Sequence, residues 1–265
     1  MKAIVCVKQV PDTSGKVAVN ENGTLDRASM ATITNPDDLA AVEAALRLKD
    51  QTGCEVVVVT MGPPPAEGML RELIARGADR AVLVSGREFG GSDTFATSQI
   101  LAAAINKIGV EKGDVVFCGR QAIDGDTAQV GPQIAEHLGL PVVSYAEDIK
   151  VEGNTVIVKR QFDDRYHELK VEMPCLITAL SELNEPRYMT PGGIFDAFDN
   201  GEVTVWGRAD LKDVDDKDLG LKGSPTKIAR ASDKVRKGAG ETVKDLDPQG
   251  AVDYIMGKLT EKHVI

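Results

Sequence analysis

The chain has 265 residues, 42% of them hydrophobic, enough to bury a large core in one domain or in a domain with an extended appendage. Its 41 acidic and 31 basic residues give a formal charge of −10 without a basic block or stripe, which argues against a nucleic acid partner. No apolar run approaches the roughly 20 residues that span a bilayer, and the run in MKAIVCVKQV is too short for a signal peptide, so a cytoplasmic protein without membrane insertion is expected.

The first predicted strand is Lys2 to Val7, with AIVCV at its centre. An irregular segment with GKVAVNENG and an Asn22-Gly23 turn follows. In NPDDLAAVEAALRLKDQTG, Asn35 can cap a helix, Pro36 suits its first position, and Asp37 and Asp38 favour its N-terminus. Leu39, Val42 and Leu46 then share one face. EVVVVTMG reads as a strand buried on both sides, and PPPAEGMLRELIARGAD as a helix entered through prolines and ended by Gly77. RAVLVSG leads through the loop REFGGSD into TFATSQILAAAINKIG, and GDVVFCG leads through GRQAIDGDTAQVG into the helix around QVGPQIAEHLG. Four strand-loop-helix units of this kind predict an α/β fold: a Rossmann-like parallel sheet with helices on both faces.

From Ala146 the texture changes. DIKVEGNTVIVKRQF and HELKVEMPCLITAL alternate around a Gly153-Asn154 turn, which predicts antiparallel strands attached to the sheet. Beyond about Thr190 the chain is polar with few apolar anchors until AVDYIMGKLTEK, an amphipathic segment. An extended C-terminal arm that wraps a partner subunit is the expectation. The cysteines Cys6, Cys54, Cys118 and Cys175 form no CxxC pair and read as small core residues, and His137, His167 and His263 have no ligand at metal spacing.

In an open α/β sheet the loops at the carboxyl ends of neighbouring strands converge on one crevice, so Cys6 to Gln9, Thr60 to Pro63, Ser85 to Thr94 and Gly119 to Thr127 can meet. Helix N-termini there favour an anion, and a nucleotide or dinucleotide is the natural occupant. Neither GxxxxGK[ST] nor GxGxxG after the first strand is present. Asp124 and Asp126 read either as a cap and a turn former, or as groups that meet a ribose or hold loop amides toward a pyrophosphate. Asp93 and Thr94 initiate a helix with Thr97 one turn on, and hydroxyls there can also reach a flavin or nicotinamide ring. No catalytic acid, base or nucleophile stands out, so redox chemistry would belong to a cofactor.

GRQAIDGDTAQVG, NPDDLAAVEAALRLK and especially LSELNEPRYMTPGG resemble the beta subunit of electron transfer flavoproteins over nearly the whole chain. The resemblance implies that Leu183, Asn184, Glu185, Pro186, Arg187 and Tyr188 form a protruding loop that docks on an acyl-CoA dehydrogenase, with Leu183 as its anchor. It implies a nucleotide site made by Cys6, by Asn35, Asp37 and Asp38, by Met61, and by Gly119, Arg120, Gln121, Ala122, Ile123, Asp124, Gly125, Asp126, Thr127, Ala128, Gln129 and Val130. Members without electron bifurcation hold AMP there; bifurcating members hold a second FAD that NADH reaches. The segment REFGGSDTFATS resembles the bifurcating branch, which adds Gly91, Asp93, Thr94 and Thr97 to the site, since glycine permits close backbone approach to a flat ring. Where the family often has Asp-Gly-Gly-x-Glu, this chain reads Asp163-Asp164-Arg165-Tyr166-His167-Glu168, with His167 at the position of the glutamate.

The expected organisation is a nucleotide-binding domain over residues 1–190 and an arm over 191–265 that packs on an alpha subunit. The expected activity takes electrons from NADH and sends them to ferredoxin or flavodoxin and, through FAD on the alpha subunit, to an acyl-CoA dehydrogenase of the butyryl-CoA type. A subunit with structural AMP and a stand-alone nucleotide-binding domain are the alternatives.

Overall fold

The computed structural model describes residues 1–12, 31–226, 238 and 240–265. Its first strand, β1 (Lys2–Cys6), turns Ala3 and Val5 to one face and Ile4 and Cys6 to the other. Apolar side chains on both faces require cover on both sides. A separate antiparallel pair follows, β2 (Gln9–Pro11) with β3 (Thr32–Thr34); the expected Asn22-Gly23 turn lies outside the described residues.

Next come α1 (Pro36–Thr52), β4 (Glu55–Met61), α2 (Ala66–Arg76), β5 (Arg80–Val84), α3 (Thr94–Ile108), β6 (Val115–Gly119) and α4 (Val130–Leu138). The four strand-loop-helix units expected from the sequence are therefore present. Pro36 opens α1, and Gly53 and Gly77, with φ of 70° and 126°, close α1 and α2 in backbone conformations that favour glycine. Val42 and Leu46 of α1 and Met69, Leu70 and Leu73 of α2 cover one face of the sheet, while Ile100 and Ile105 of α3 and Ile134 of α4 cover the other.

The remaining strands are β7 (Val142–Glu152), β8 (Thr155–Gln161), β9 (Tyr166–Glu172), β10 (Cys175–Ala179) and β11 (Val203–Trp206), with α5 (Pro191–Asp199) before β11 and the short α6 (Gly220–Gly223) after it. The nine-stranded sheet runs β11-β5-β4-β1-β6-β10-β7-β8-β9, parallel through β7 and antiparallel in the last two pairs.

Two features differ from the expectation. Cys175–Ala179 is a fully buried parallel strand between β6 and β7, because the apolar run CLITA can be covered on both faces, unlike the alternating residues before it. The polar stretch beyond Thr190 also contributes β11 to the sheet edge, and Leu211, Val214 and Leu219 are buried against the same face as α3.

Residues 1–230 form one compact unit and residues 231–265 another. The second contains α7 (Pro248–Glu261), which starts at Asp247, whose carboxylate accepts the Gly250 N–H at 2.7 Å. Val252, Ile255 and Met256 of α7 are exposed. Among the described residues no helix is long and apolar enough to cross a membrane.

Candidate functional site

The chain order reverses between β1 and β6: β4, β5 and β11 continue to one side of β1, and β6, β10 and β7 lie on the other. A crevice forms outside the carboxyl ends of strands at such a point. Cys6 and Cys118 are register partners there, both buried, and the chain leaves β1 at Val7 and β6 at Gly119.

The N-terminus of α1 joins the two exits. Asp38 is buried, and its carboxyl accepts the Lys8 N–H at 2.8 Å and the Gly119 N–H at 2.9 Å. Burial pushes this carboxyl up to about 7, against the opposing effect of those donors. Gly119 is required because a Cβ there would lie 2.6 Å from the Asp38 backbone nitrogen. Asn35 does not cap α1 with its side chain, as the sequence suggested. Its Nδ2 donates to the Gln121 carbonyl at 2.7 Å and its Oδ1 accepts the Ile123 N–H at 3.1 Å, so the residue fixes the β6 loop instead. The side chain is fully buried, where leaving either amide group unsatisfied would be costly. Asp37 pairs with Arg120 at 3.2 Å; burial raises its carboxyl above the ordinary range while Arg120 opposes the rise. The Asp37 Oδ2 and Arg120 Nε atoms lack a well-directed hydrogen bond.

The two aspartates of the β6 loop do not cap α4, which begins at Val130 with Gln129 before it and no side-chain cap. Asp124 accepts from Lys8 Nζ at 2.6 Å, and Asp126 accepts from Gln121 Nε2 at 2.8 Å. The Gly125 and Asp126 N–H groups both turn back to the Ala122 carbonyl. Asp126 and Ala128 then adopt φ of 51° and 52°, a left-handed conformation unusual for residues with a Cβ.

Among the described residues, the N–H groups of Thr127, Ala128 and Gln129 have no protein acceptor, and those of Val130 and Gly131 are first-turn donors of α4. Consecutive free amides with a left-handed Ala128 beside a right-handed Gln129, followed by a helix N-terminus, form a concavity suited to an anion. The loop's glycines serve other ends: Gly119 admits Asp38, and a Cβ on Gly131 would lie 2.9 Å from Thr178.

The β5 loop reaches this concavity through Thr94, whose hydroxyl donates to Gln129 Oε1 at 3.0 Å. Thr97 is half-buried one turn along α3. Asp93 caps α3 through the Ala96 N–H at 3.1 Å, accepts the Thr226 N–H at 2.9 Å, and its own N–H donates to Ser224 Oγ at 2.8 Å. Gly91 has φ of 74°, and a Cβ there would lie 2.5 Å from Leu221. Met61 lies at the end of β4 with its side chain packed on the core beneath the crevice. Cys6, Asn35, Asp37, Met61, Thr94 and residues 119–130 are thus placed around the crevice, whereas Gly91 and Asp93 are held by the segment around α6.

Sequence reasoning did not single out Lys8, Leu221 or Ser224. Lys8 was legible as a lone cation in an apolar strand exit; Ser224 and Leu221, more than 120 residues from their partners in sequence, carried no local signal.

The segment Leu183 to Tyr188 is pinned to α1. Asn184 Nδ2 donates to the Ala40 carbonyl at 3.1 Å, and Arg187 donates to Glu43 through Nε at 2.9 Å and to Asp50 through Nη2 at 2.7 Å. Arg76 also donates to the Arg187 carbonyl. Burial raises the Glu43 carboxyl, but hydrogen bonds from Arg187 and Arg47 outweigh it and hold Glu43 below its ordinary value. Leu183 is half-buried on the core, Glu185 is exposed, Pro186 is half-buried, and Tyr188 is 92% exposed.

Residues 22–211 match the model of the electron transfer flavoprotein domain family. The chain is 56% identical over 269 residues to the acryloyl-CoA reductase electron transfer subunit gamma of Anaerotignum propionicum, covering 100% of both chains. It is 51% identical over 265 residues to the electron transfer flavoprotein subunit beta of Clostridium acetobutylicum and 49% identical over 266 residues to the caffeyl-CoA reductase-Etf complex subunit CarD of Acetobacterium woodii, again over 100% of each. With relatives of this similarity matched over their whole length and a family match over residues 22–211, the chain belongs to the electron transfer flavoprotein family, as a subunit of the beta type.

Proposed function

We propose that the chain holds FAD at the crevice and, paired with an alpha subunit carrying another FAD, divides the electrons of NADH between ferredoxin or flavodoxin and an acyl-CoA dehydrogenase of the butyryl-CoA/crotonyl-CoA type. The observation that carries the nucleotide part is the run of free amides from Thr127 to Gly131, shaped by left-handed Asp126 and Ala128. Its chemistry fits a phosphate or pyrophosphate through backbone donors, with Lys8 and Arg120 at the edges already paired with Asp124 and Asp37. The names of relatives at 56% and 49% identity, subunits associated with acryloyl-CoA and caffeyl-CoA reductases, support the acyl-CoA branch.

When bound, FAD supplies the two-electron chemistry with NADH and the one-electron chemistry with the acceptors. The chain's own residues bind and orient. Residues 127–131 hold the phosphates, Asn35 and Asp38 keep the β1 and β6 loops in register, and Thr94 and Thr97 offer hydroxyls to the ring. Residues 183–188 dock the acyl-CoA dehydrogenase, with Tyr188 as the exposed ring of the segment. Residues 231–265 pack on the alpha subunit through Val252, Ile255 and Met256 of α7.

Extraction of the purified heterodimer should release two FAD per pair, and NADH should reduce ferredoxin only when an enoyl-CoA acceptor is present. One FAD and one AMP, with no coupled ferredoxin reduction, would replace this reading with a subunit that uses AMP structurally.

A further inference from the structure

The antiparallel end of the sheet carries a cation that no described carboxylate neutralises. Arg160 Nε is buried without an acceptor, and among the described residues no carboxylate or carbonyl meets its guanidinium. Seven other described arginines, at 47, 71, 80, 120, 165, 187 and 208, each pair with a carboxylate, Arg76 donates to a carbonyl, and Arg87 is exposed. Arg160 is instead held by rings: Phe162 lies 4.7 Å from its guanidinium carbon and Tyr145 lies 5.9 Å from it. His167, the register partner of Arg160 on β9, packs on Phe162 at 4.5 Å between ring centroids.

The position is equally defined. Gly119, Ala179, Ala146, Arg160 and His167 are successive register partners across β6, β10, β7, β8 and β9. Arg160 therefore stands in the same row as the crevice exit, three strand spacings or about 15 Å away. A guanidinium fixed between aromatic faces has lost little freedom still to lose, and a partly desolvated cation gains most from a directed carboxylate. The surrounding surface is the outer end of a sheet with half-exposed Phe162 and exposed Tyr166, which suits a protein partner.

We propose that Arg160, in its collar of Tyr145 and Phe162, receives an aspartate or glutamate side chain of the partner subunit and anchors that subunit at the carboxyl edge of the sheet. This rests on the reading of the chain as one subunit of a heterodimer.

The test compares the full-length chain with its Arg160→Gln, Arg160→Lys and Phe162→Leu variants by titration with purified alpha subunit at low and high salt. Arg160→Gln should weaken the complex by about 10- to 100-fold, as expected for loss of a desolvated charge pair, and should flatten the salt dependence. Arg160→Lys should recover only part of the affinity, because it keeps the charge without the planar fork. The melting temperature of the isolated Arg160→Gln chain should fall by no more than a few degrees, since among the described residues Arg160 loses only its contacts with the Tyr145 and Phe162 rings. Arg160→Glu should be rescued by one acidic-to-arginine change among the partner's surface carboxylates. Wild-type affinity in Arg160→Gln, or a loss of affinity that tracks a larger fall in melting temperature, would overturn the proposal while leaving the heterodimer intact. Failure of the wild-type chain to bind any alpha subunit would instead overturn the functional reading beneath it.

Discussion

The Asp38 carboxyl joins β1 to β6 while buried, and its substitution by asparagine gives a signed prediction. Its value rises from 3.8 to about 7 on folding, with burial as the leading cause. Between these limits the folded chain binds the proton more tightly than the unfolded chain. This group's contribution to stability is therefore complete below the unfolded value and declines as pH rises toward 7. From pH 5 to pH 8 the decline amounts to about 3 kcal/mol, which for a chain of this size moves the melting temperature by roughly 5–10 °C. Asp38→Asn removes the titration but leaves one amide NH₂ facing a backbone N–H donor, from Lys8 or Gly119. The variant should be less stable than wild type at pH 5, and the gap should shrink or reverse by pH 8. Calorimetric melting of both proteins across this range reads the difference directly, with other titrating groups cancelling. A gap constant to within about 2 °C would refute the claim that Asp38 takes up its proton near neutrality.

Gly119→Ala should cost several kcal/mol or prevent folding, since its Cβ would press on the Asp38 backbone, which cannot yield; soluble yield and melting temperature measure this. Arg187→Ala leaves Glu43 buried without its main partner and should destabilise the chain by about 3 kcal/mol near pH 7. Because Glu43 titrates below its ordinary value, that penalty should fade as pH drops through the acidic range, as equilibrium denaturation at pH 7 and pH 3.5 would show. Ala128→Gly should relieve about 1 kcal/mol of left-handed strain and raise the melting temperature of the cofactor-free chain. Gln129→Asp should place a carboxylate beside the free amides and weaken nucleotide binding about tenfold or more, measured by FAD and AMP titration, without loss of fold.

The Arg187 bridge also has a bearing on residues 183–188. Its carboxylate partners Glu43 and Asp50 both lie on α1, so the loop is carried by the helix whose N-terminus organises the crevice. Rigid support of this kind would lower the ordering cost of the docking proposed for it.

Local sequence determined the parallel half of the fold. Apolar runs such as EVVVV can be buried only between two helical layers, and Pro36, Gly53 and Gly77 bound the helices through backbone preferences that act within a few residues. It also located the crevice, because convergence of the strand exits follows from parallel topology. What it could not decide was which polar group answers which. Asn35 reads as a cap in isolation, yet its amide finds Gln121 and Ile123 across the crevice; Asp124 reads as a cap or ribose contact, yet it accepts from Lys8, 116 residues away in the chain. Gly91 reads as a bed for a flat ring, while Leu221 already lies against it. The difference is physical: burial of apolar runs is non-directional and readable from periodicity, whereas a hydrogen bond depends on distance and angle between groups that only the closed tertiary fold brings together.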